Sequence, residues 1–404
     1  MKNIDAHLQS DITIVGAGLV GMAAAVALRQ AGYSVTLVDS QHPVKLDASS
    51  QSNVQDWDQR IYAISPRNAQ WLASLGAWQL LDSTRIGEMQ GMEIWEDVSH
   101  APLVLSASDA NAEHLGFIVE ESALKQALMR CVEALGVHTC FESSCAKLNA
   151  SAHQATLHLA NEQVLSSELL LAADGANSWV RQQLGIGVQQ KPYHQTAIVA
   201  NFEVEKSHAN IARQWFTQDT AGESCILGWL PLSDNKISIV WSVSTQYAET
   251  LLNLTDTEFT KQVMMAGGSL LGEFKLMGSP AAFPLILKKS EVLTQECVVL
   301  MGDAAHRIHP MAGQGVNLGF RDVMDWLEML KTKNPYQSLH DSSLLKRYSR
   351  MRKADMLNML MLTDGLYYLF ESHQHILEKI RHWGFSMAKS KIAKKTLVAN
   401  AIAL

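Results

Sequence analysis

The chain has 404 residues, of which 47% are hydrophobic and 18% charged, and its formal net charge is −7. This balance supports a large core in two closely joined domains and excludes both a disordered chain and a general nucleic-acid binder. Its five cysteines, Cys131, Cys140, Cys145, Cys225 and Cys297, are odd in number and contain no CxxC pair, which argues against a zinc site or a disulfide framework and fits a reducing cytoplasm.

The uncharged run 12–28 could pass for a signal peptide or membrane span, but Gly16, Gly18 and Gly21 interrupt it and Arg29 ends it too soon. A short β-rich run at 11–15, the sequence Gly16-Ala17-Gly18-Leu19-Val20-Gly21, a helical stretch at 22–30 and a second strand ending in Asp39 make the βαβ dinucleotide fingerprint. In that pattern Gly16 permits the tight turn and Gly18 lets the backbone approach a diphosphate. Gly21 lets helix and strand pack closely, and Asp39 accepts from a ribose hydroxyl. FAD and NAD share the fingerprint, so it does not choose between them.

Residues 41–58 are polar and read as a loop, and 58–65 open a helix that runs to about Leu75. Arg60 there suits a phosphate, with a salt bridge to Asp58 as the other reading. Leu124, Leu128, Val132 and Leu135 have helical spacing, so 115–135 reads as a core-facing helix with Glu120 and Glu121 favouring its start. Strands are expected at 155–159 and 168–173, the second ending in Asp174-Gly175-Ala176-Asn177-Ser178 with Arg181 behind it. That set offers a carboxylate, a hydroxyl and a cation to a cofactor, or simply a helix capped by Ser178.

Strand-like pieces follow at 196–204, 212–217, 225–232 and 236–243 and carry Trp215, Phe216, Trp229 and Trp241. They read as an inserted β-sheet with one face free for an aromatic or apolar substrate. A helix is expected at 251–265, and Gly267, Gly268 and Gly272 do not form a second nucleotide site. The stretch 298–326 begins as a buried strand, breaks at Gly302-Asp303 and resumes as a helix near Gly315, which would point a positive helix end at an electron-rich ligand. The remainder reads as helical, with Leu357, Leu360, Met361, Leu366, Leu369 and Phe370 as core or channel wall. The tail from Lys379 carries six basic residues and no acid, suiting an anionic membrane surface, an acidic partner or a solvated helix.

The fingerprint with Asp39, then Asp174-Gly175, then Gly302-Asp303 with Gly313-Gln314-Gly315, resembles the single-component FAD-dependent aromatic hydroxylases typified by para-hydroxybenzoate hydroxylase. Within that group, DQRIYAIS at 58–65, LGFIVEESAL at 115–124, ADGANSWVRQQLGI at 173–186 and GDAAHRIHPMAGQGVNLGFRDV at 302–323 resemble the ubiquinone-biosynthesis hydroxylases. The resemblance implies FAD, with NAD(P)H as a transient electron donor. It assigns Gly16, Gly18 and Gly21 to the diphosphate, Asp39 to the adenosine ribose and Arg60 to the phosphate side. Asp174 would serve flavin and nicotinamide contacts, Gly302 and Asp303 the ribitol, and Pro310, Gly313, Gln314, Gly315 and Asn317 the isoalloxazine. Two departures are Glu121, where relatives often carry Asn, Arg or Gln, and an insertion-like run at 220–225.

The expected architecture is α/β: a Rossmann-like FAD-binding domain from 1–75, 101–185 and 286–340, an inserted β-sheet substrate domain from 76–100 and 186–285, and a helical C-terminal region, 341–404. The implied activity is hydroxylation of a polyprenylated phenol or quinol with O2, through a flavin hydroperoxide, with ring carbon 6 preferred and no catalytic base named. A flavin-dependent reductase and a non-catalytic flavoprotein subunit are the alternatives. The expected location is cytoplasmic, peripheral to the inner membrane.

Overall fold

The computed structural model describes residues 7–43, 57–95, 101–219, 221–307, 314–371, 394–396 and 398–399. Strand His7–Val15 pairs in parallel with Val35–Val38 on one side and Val164–Ala172 on the other, and Val298–Leu300 extends this first sheet. His138–Cys140 and Thr294–Gln295 form its edges, while the hairpin of Cys145–Ala150 and Ala155–Leu159 folds off Val164–Ala172. A parallel sheet is covered on both faces, so its strands must be apolar throughout. Ile12, Ile14, Leu37, Val298, Val299 and Leu300 accordingly have no exposure. Helix α1, Leu19–Gln30, buries Met22 through Leu28 against the sheet, which accounts for the uncharged N-terminal run. No helix among the described residues is long and apolar enough to cross a membrane.

Two segments expected to be helical are strands. Ile61–Ile64 pairs antiparallel with Gly116–Glu120, and Gly87–Met89 pairs on the other side to make a three-stranded sheet. Long-range pairing of these β-branched and aromatic runs overrides the helical spacing beside them. Helix α2, Pro66–Ser74, therefore starts late, with Pro66 at its first position and Ser65 as its N-cap. Helix α3, Glu121–Ala134, likewise begins only after the strand. The short helix α4, Trp179–Gln183, follows Val164–Ala172 and is capped by Ser178.

The second sheet runs His306–Arg307, Phe274–Ser290, Val188–Val204, Lys236–Ser244, Ser224–Pro231, Ile211–Gln218, Gly91–Trp95, Leu103–Ser106. The expected strands are all here. Leu103–Ser106 belongs here too, because it forms a hairpin with Gly91–Trp95, so grouping all of 101–185 with the first domain started too early. The 17-residue strand Phe274–Ser290 was not among the expected strands; it contains Gly278, Pro280 and Pro284, and shifts of register against Val188–Val204 accommodate them. The expected helix at 251–265 is two, α5 (Thr245–Leu252) and α6 (Asp256–Ala266), because Thr255 and Glu258 form a capping box that starts the second.

Trp95, Trp215, Trp229, Trp241, Ile198 and Phe202 form the core between this sheet and α5 and α6. Alternation along the strands sends Phe216, Ile226, Ala197 and Leu285 to the opposite face, in a separate apolar cluster. Helix α7, Gln314–Thr332, returns to the first sheet and α8, Ser342–Glu371, follows. Leu357 on α8 is 51% exposed, so it is not core. Most of the basic tail lies outside the described residues, but Val398 is buried against Ala107 and Leu115, which seats that point of the tail on the body. The five cysteines are free thiols, and all but Cys145 are buried.

Candidate active site

The glycine turn is built as its spacing demands. Gly16 has φ +104°, and a Cβ there would lie 2.4 Å from the Ala173 carbonyl oxygen; one on Gly21 would lie 1.8 Å from the Gly16 oxygen. A Cβ on Gly18 would meet nothing within 4 Å, so that side of the turn faces open space. Gly18 caps α1 without a side-chain hydrogen bond, and the first turn contains no acid. The first N–H groups of α1 are therefore left for an anion, a donor set that fits a diphosphate. Asp39 fastens the turn, its Oδ2 accepting from the Ala17 N–H at 2.6 Å and its Oδ1 from Gln41 at 2.9 Å.

Asp174 abuts this turn, since the missing Cβ of Gly16 would lie 2.7 Å from its Cα. Its Oδ2 accepts from the Val180 N–H at 3.0 Å, while its buried Oδ1 has no partner. Burial raises the Asp174 pKa above the usual carboxylate value, against the hydrogen bonds from Ser178 and the backbone. An orphaned acceptor beside the glycine turn is the kind of atom that a cofactor hydroxyl or amide would satisfy. The other two groups expected here are structural. Ser178 caps α4, and Arg181 donates to the carbonyls of Ala304 at 2.7 Å and Ala176 at 2.9 Å, joining the two loops.

Asp303 lies on the short turn Gly302–Ala304, which Gly302 enters with φ +57°. Gly302 and Gly319 of α7 both pack on Val20 of α1, at 3.2 and 2.5 Å from where their Cβ atoms would be. The glycine turn, the Asp303 turn and α7 are thus pressed together. Arg60 does not pair with Asp58; its Nε lies 3.1 Å from Glu121 Oε2, and its side chain is 65% exposed. Partial burial works against its charge, but Tyr62, Glu121 and Asp303 outweigh that and raise its pKa. Glu121 also holds Lys125 at 2.8 Å, so it anchors two cations at the start of α3.

At the start of α7, a Cβ on Gly315 would meet nothing within 4 Å. Asn317 is fully buried and its side chain is already engaged. Its Oδ1 accepts from Ser65 N–H at 3.1 Å and Asn68 Nδ2 at 2.8 Å, and its Nδ2 donates to Ala63 O at 2.7 Å. These bonds tie α7 to α2 and to Ile61–Ile64. Gln314 begins the helix. Pro310 and Gly313 lie outside the described residues.

Sequence reasoning missed the group that holds this loop. Asp322, 1% exposed, accepts from the Gly302 N–H at 2.8 Å and from His306 Nε2 at 2.8 Å, while Arg352 Nε pairs with its other oxygen at 2.6 Å. Arg352 reaches on to Asp325 at 2.6 Å and Asp355 at 2.7 Å. Burial would raise the Asp322 pKa, but His306 and Arg352 outweigh it and hold the carboxyl below its usual value. The available signal was a pair of acids, Asp322 and Asp325, inside an otherwise core-facing helix.

Residues 9–363 match the family described as FAD binding domain. The chain is 33% identical to 3-demethoxyubiquinol 3-hydroxylase of Escherichia coli over 98% of this chain and 99% of that one. It is also 33% identical to the ubiquinone hydroxylase UbiL of Rhodospirillum rubrum, over 90% and 82% of the two chains. Among solved structures, p-nitrophenol 4-monooxygenase of Pseudomonas putida shares the fold, with a TM-score of 0.75, 15% identity and 98% of each chain covered. The chain belongs to the FAD-dependent monooxygenases, in the family of ubiquinone-biosynthesis hydroxylases.

Proposed function

We propose that this enzyme hydroxylates the aromatic ring of a polyprenylated phenol or quinol in ubiquinone biosynthesis, at carbon 6 of the methoxylated ring. The observation that carries this reading is an apolar face of the second sheet tied by Asn201, through Trp57 and Asp58, to the segment leading into Arg60 and the start of α7. The similarity over nearly all of the chain to a hydroxylase named for a demethoxyubiquinol, a ring still lacking one methoxyl, supports a late position in the pathway.

In this reading the turn built on Gly16, Gly18 and Gly21 receives the diphosphate, Asp39 the ribose, and Arg60 lies on the phosphate side. Asp174 offers its free oxygen, and Gly302 and Asp303 reach the ribitol. Pro310, Gly313, Gln314, Gly315 and Asn317 underlie the isoalloxazine. FAD held there would supply the oxygen chemistry, with NAD(P)H giving a hydride, one atom of O2 entering the ring and the other leaving as water. The protein steadies negative charge on the pyrimidine ring with the N-terminus of α7 and keeps water from the ring with the sheet face. Residues 1–75, 101–185 and 286–340 would bind FAD, apart from the strand at 103–106, and 76–100 with 186–285 the substrate. The basic tail would rest on an anionic membrane surface.

Purified protein given FAD, NAD(P)H, labelled O2 and a demethoxyubiquinol analogue should yield a ring product carrying one labelled oxygen. A product without label would favour a reductase, and peroxide alone would overturn the hydroxylase. Asp303→Ala should weaken FAD binding by about tenfold or more and abolish quinone production. Mass analysis of the intermediate accumulating in a deletion strain tests the ring carbon.

A further inference from the structure

Strand Ile61–Ile64 divides its side chains between two cores. Ile61 and Ala63 pack in the seam with Trp57, Ile118 and Leu232, while Tyr62 and Ile64 turn the other way, into the core of the first sheet. Side chains of a strand alternate in direction, so Tyr62 is the residue that carries a polar tip from this strand into the half of the molecule holding the glycine turn. The ring is only partly covered.

Three charged groups surround that tip. The Arg60 guanidinium lies over the ring, its central carbon 5.6 Å from the centroid, and engages the hydroxyl. Glu121 holds Arg60 at 3.1 Å, and Asp303 is close enough for its charge to act on both Arg60 and Tyr62. An arginine side chain has only donors, so its contact with the phenol occupies an acceptor site and leaves the phenol proton undonated. Neither carboxylate accepts that proton; each acts on the phenol through its charge alone. Burial, helped by the two carboxylates and opposed by Arg60, pushes the phenol well above its ordinary value, so it keeps its proton at any working pH. A donor held between a cation and an acid-bearing turn suits an anionic or hydroxyl oxygen of a ligand.

We propose that Tyr62 is a cofactor-binding residue: its hydroxyl donates to an oxygen of FAD between the diphosphate and the ribitol, and its ring positions the Arg60 guanidinium for the diphosphate. The inference rests on the placement of FAD proposed above, with the diphosphate near Arg60 and the ribitol near Asp303. The Arg60 side chain is 65% exposed and has a long flexible stem, so a ring beneath the guanidinium reduces the freedom it must lose when it grips a phosphate.

The test compares Tyr62→Phe, which keeps the ring and removes only the hydroxyl, with Tyr62→Leu, which removes both. FAD affinity is read from the flavin fluorescence recovered when the loaded enzyme is diluted, and the thermal midpoint is measured on the same protein after the flavin is released. Tyr62→Phe should weaken FAD by about tenfold and leave the flavin-free midpoint unchanged. Tyr62→Leu should weaken it further, and Arg60→Gln should then cost less in the Tyr62→Leu protein than in wild type. Wild-type FAD affinity in Tyr62→Phe overturns the donor, and an Arg60→Gln effect of equal size in both backgrounds overturns the positioning. If Arg60→Gln and Asp303→Ala also leave FAD affinity unchanged, the placement of the cofactor fails as a whole. A loss in those two with none in Tyr62→Phe defeats the tyrosine alone.

Discussion

Asp322 does more for the site than any residue expected to touch the cofactor. One buried carboxylate holds the backbone at Gly302, the ring of His306 and the guanidinium of Arg352. Asp322→Asn removes the most buried of the three carboxylates that face Arg352, a hydrogen bond to a charged group that typically contributes about 1.5–3 kcal/mol, and should release FAD more readily, as urea denaturation and flavin titration would show. The pH dependence has a definite sign. A carboxyl with a depressed folded pKa contributes stability above its unfolded value, near pH 4, and that contribution is lost as pH falls through the folded value. Asp174 acts in the opposite sense, because burial raises its pKa and disfavours the charge. Asp174→Asn can still accept from the Val180 N–H, so its thermal midpoint should equal or exceed that of wild type while flavin affinity drops. A lowered midpoint with unchanged affinity would contradict a cofactor role.

At the scale of elements, α7 is aimed by its neighbours. Asn317→Ala would remove the acceptor for Ser65 and Asn68 and the donor to Ala63, costing about 3 kcal/mol and loosening the helix start. The expected readout is a shifted flavin absorption band together with a lower denaturation midpoint; a lower midpoint with an unaltered flavin spectrum would argue that the helix start does not underlie the ring. These ties also explain what could be read in the sequence. The βαβ turn was legible because its strand, its glycines, its helix and Asp39 follow one another at fixed spacing, although Ala173, which crowds Gly16, lies far along the chain. The strands Ile61–Ile64 and Gly116–Glu120 were not, because each becomes a strand only by finding the other far along the chain. The Asp322 cluster was hidden for the same reason, its partners standing 16 and 30 residues away.

The whole molecule has two large sheets that cannot come apart cheaply. His306–Arg307 leaves the Asp303 turn and pairs with Lys288 and Lys289 in the second sheet, and Asn201 of that sheet grips the segment before Arg60. Calorimetry of the FAD-loaded protein should therefore give one transition, with tryptophan emission from the second sheet's core changing together with flavin release. FAD at a hundred times its Kd should add about 2.7 kcal/mol to that single unfolding. Two separated transitions would mean that the sheets fold independently.

The free thiols carry one more consequence. Burial is the main cause that pushes Cys145 and Cys225 up to about 12 and Cys297 up to about 11, so at neutral pH almost none of these sulfurs is a thiolate. Peroxide attacks the thiolate, not the thiol. These thiols should therefore resist added hydrogen peroxide, and the enzyme's working lifetime in its presence should be set by flavin loss sooner than by sulfur oxidation.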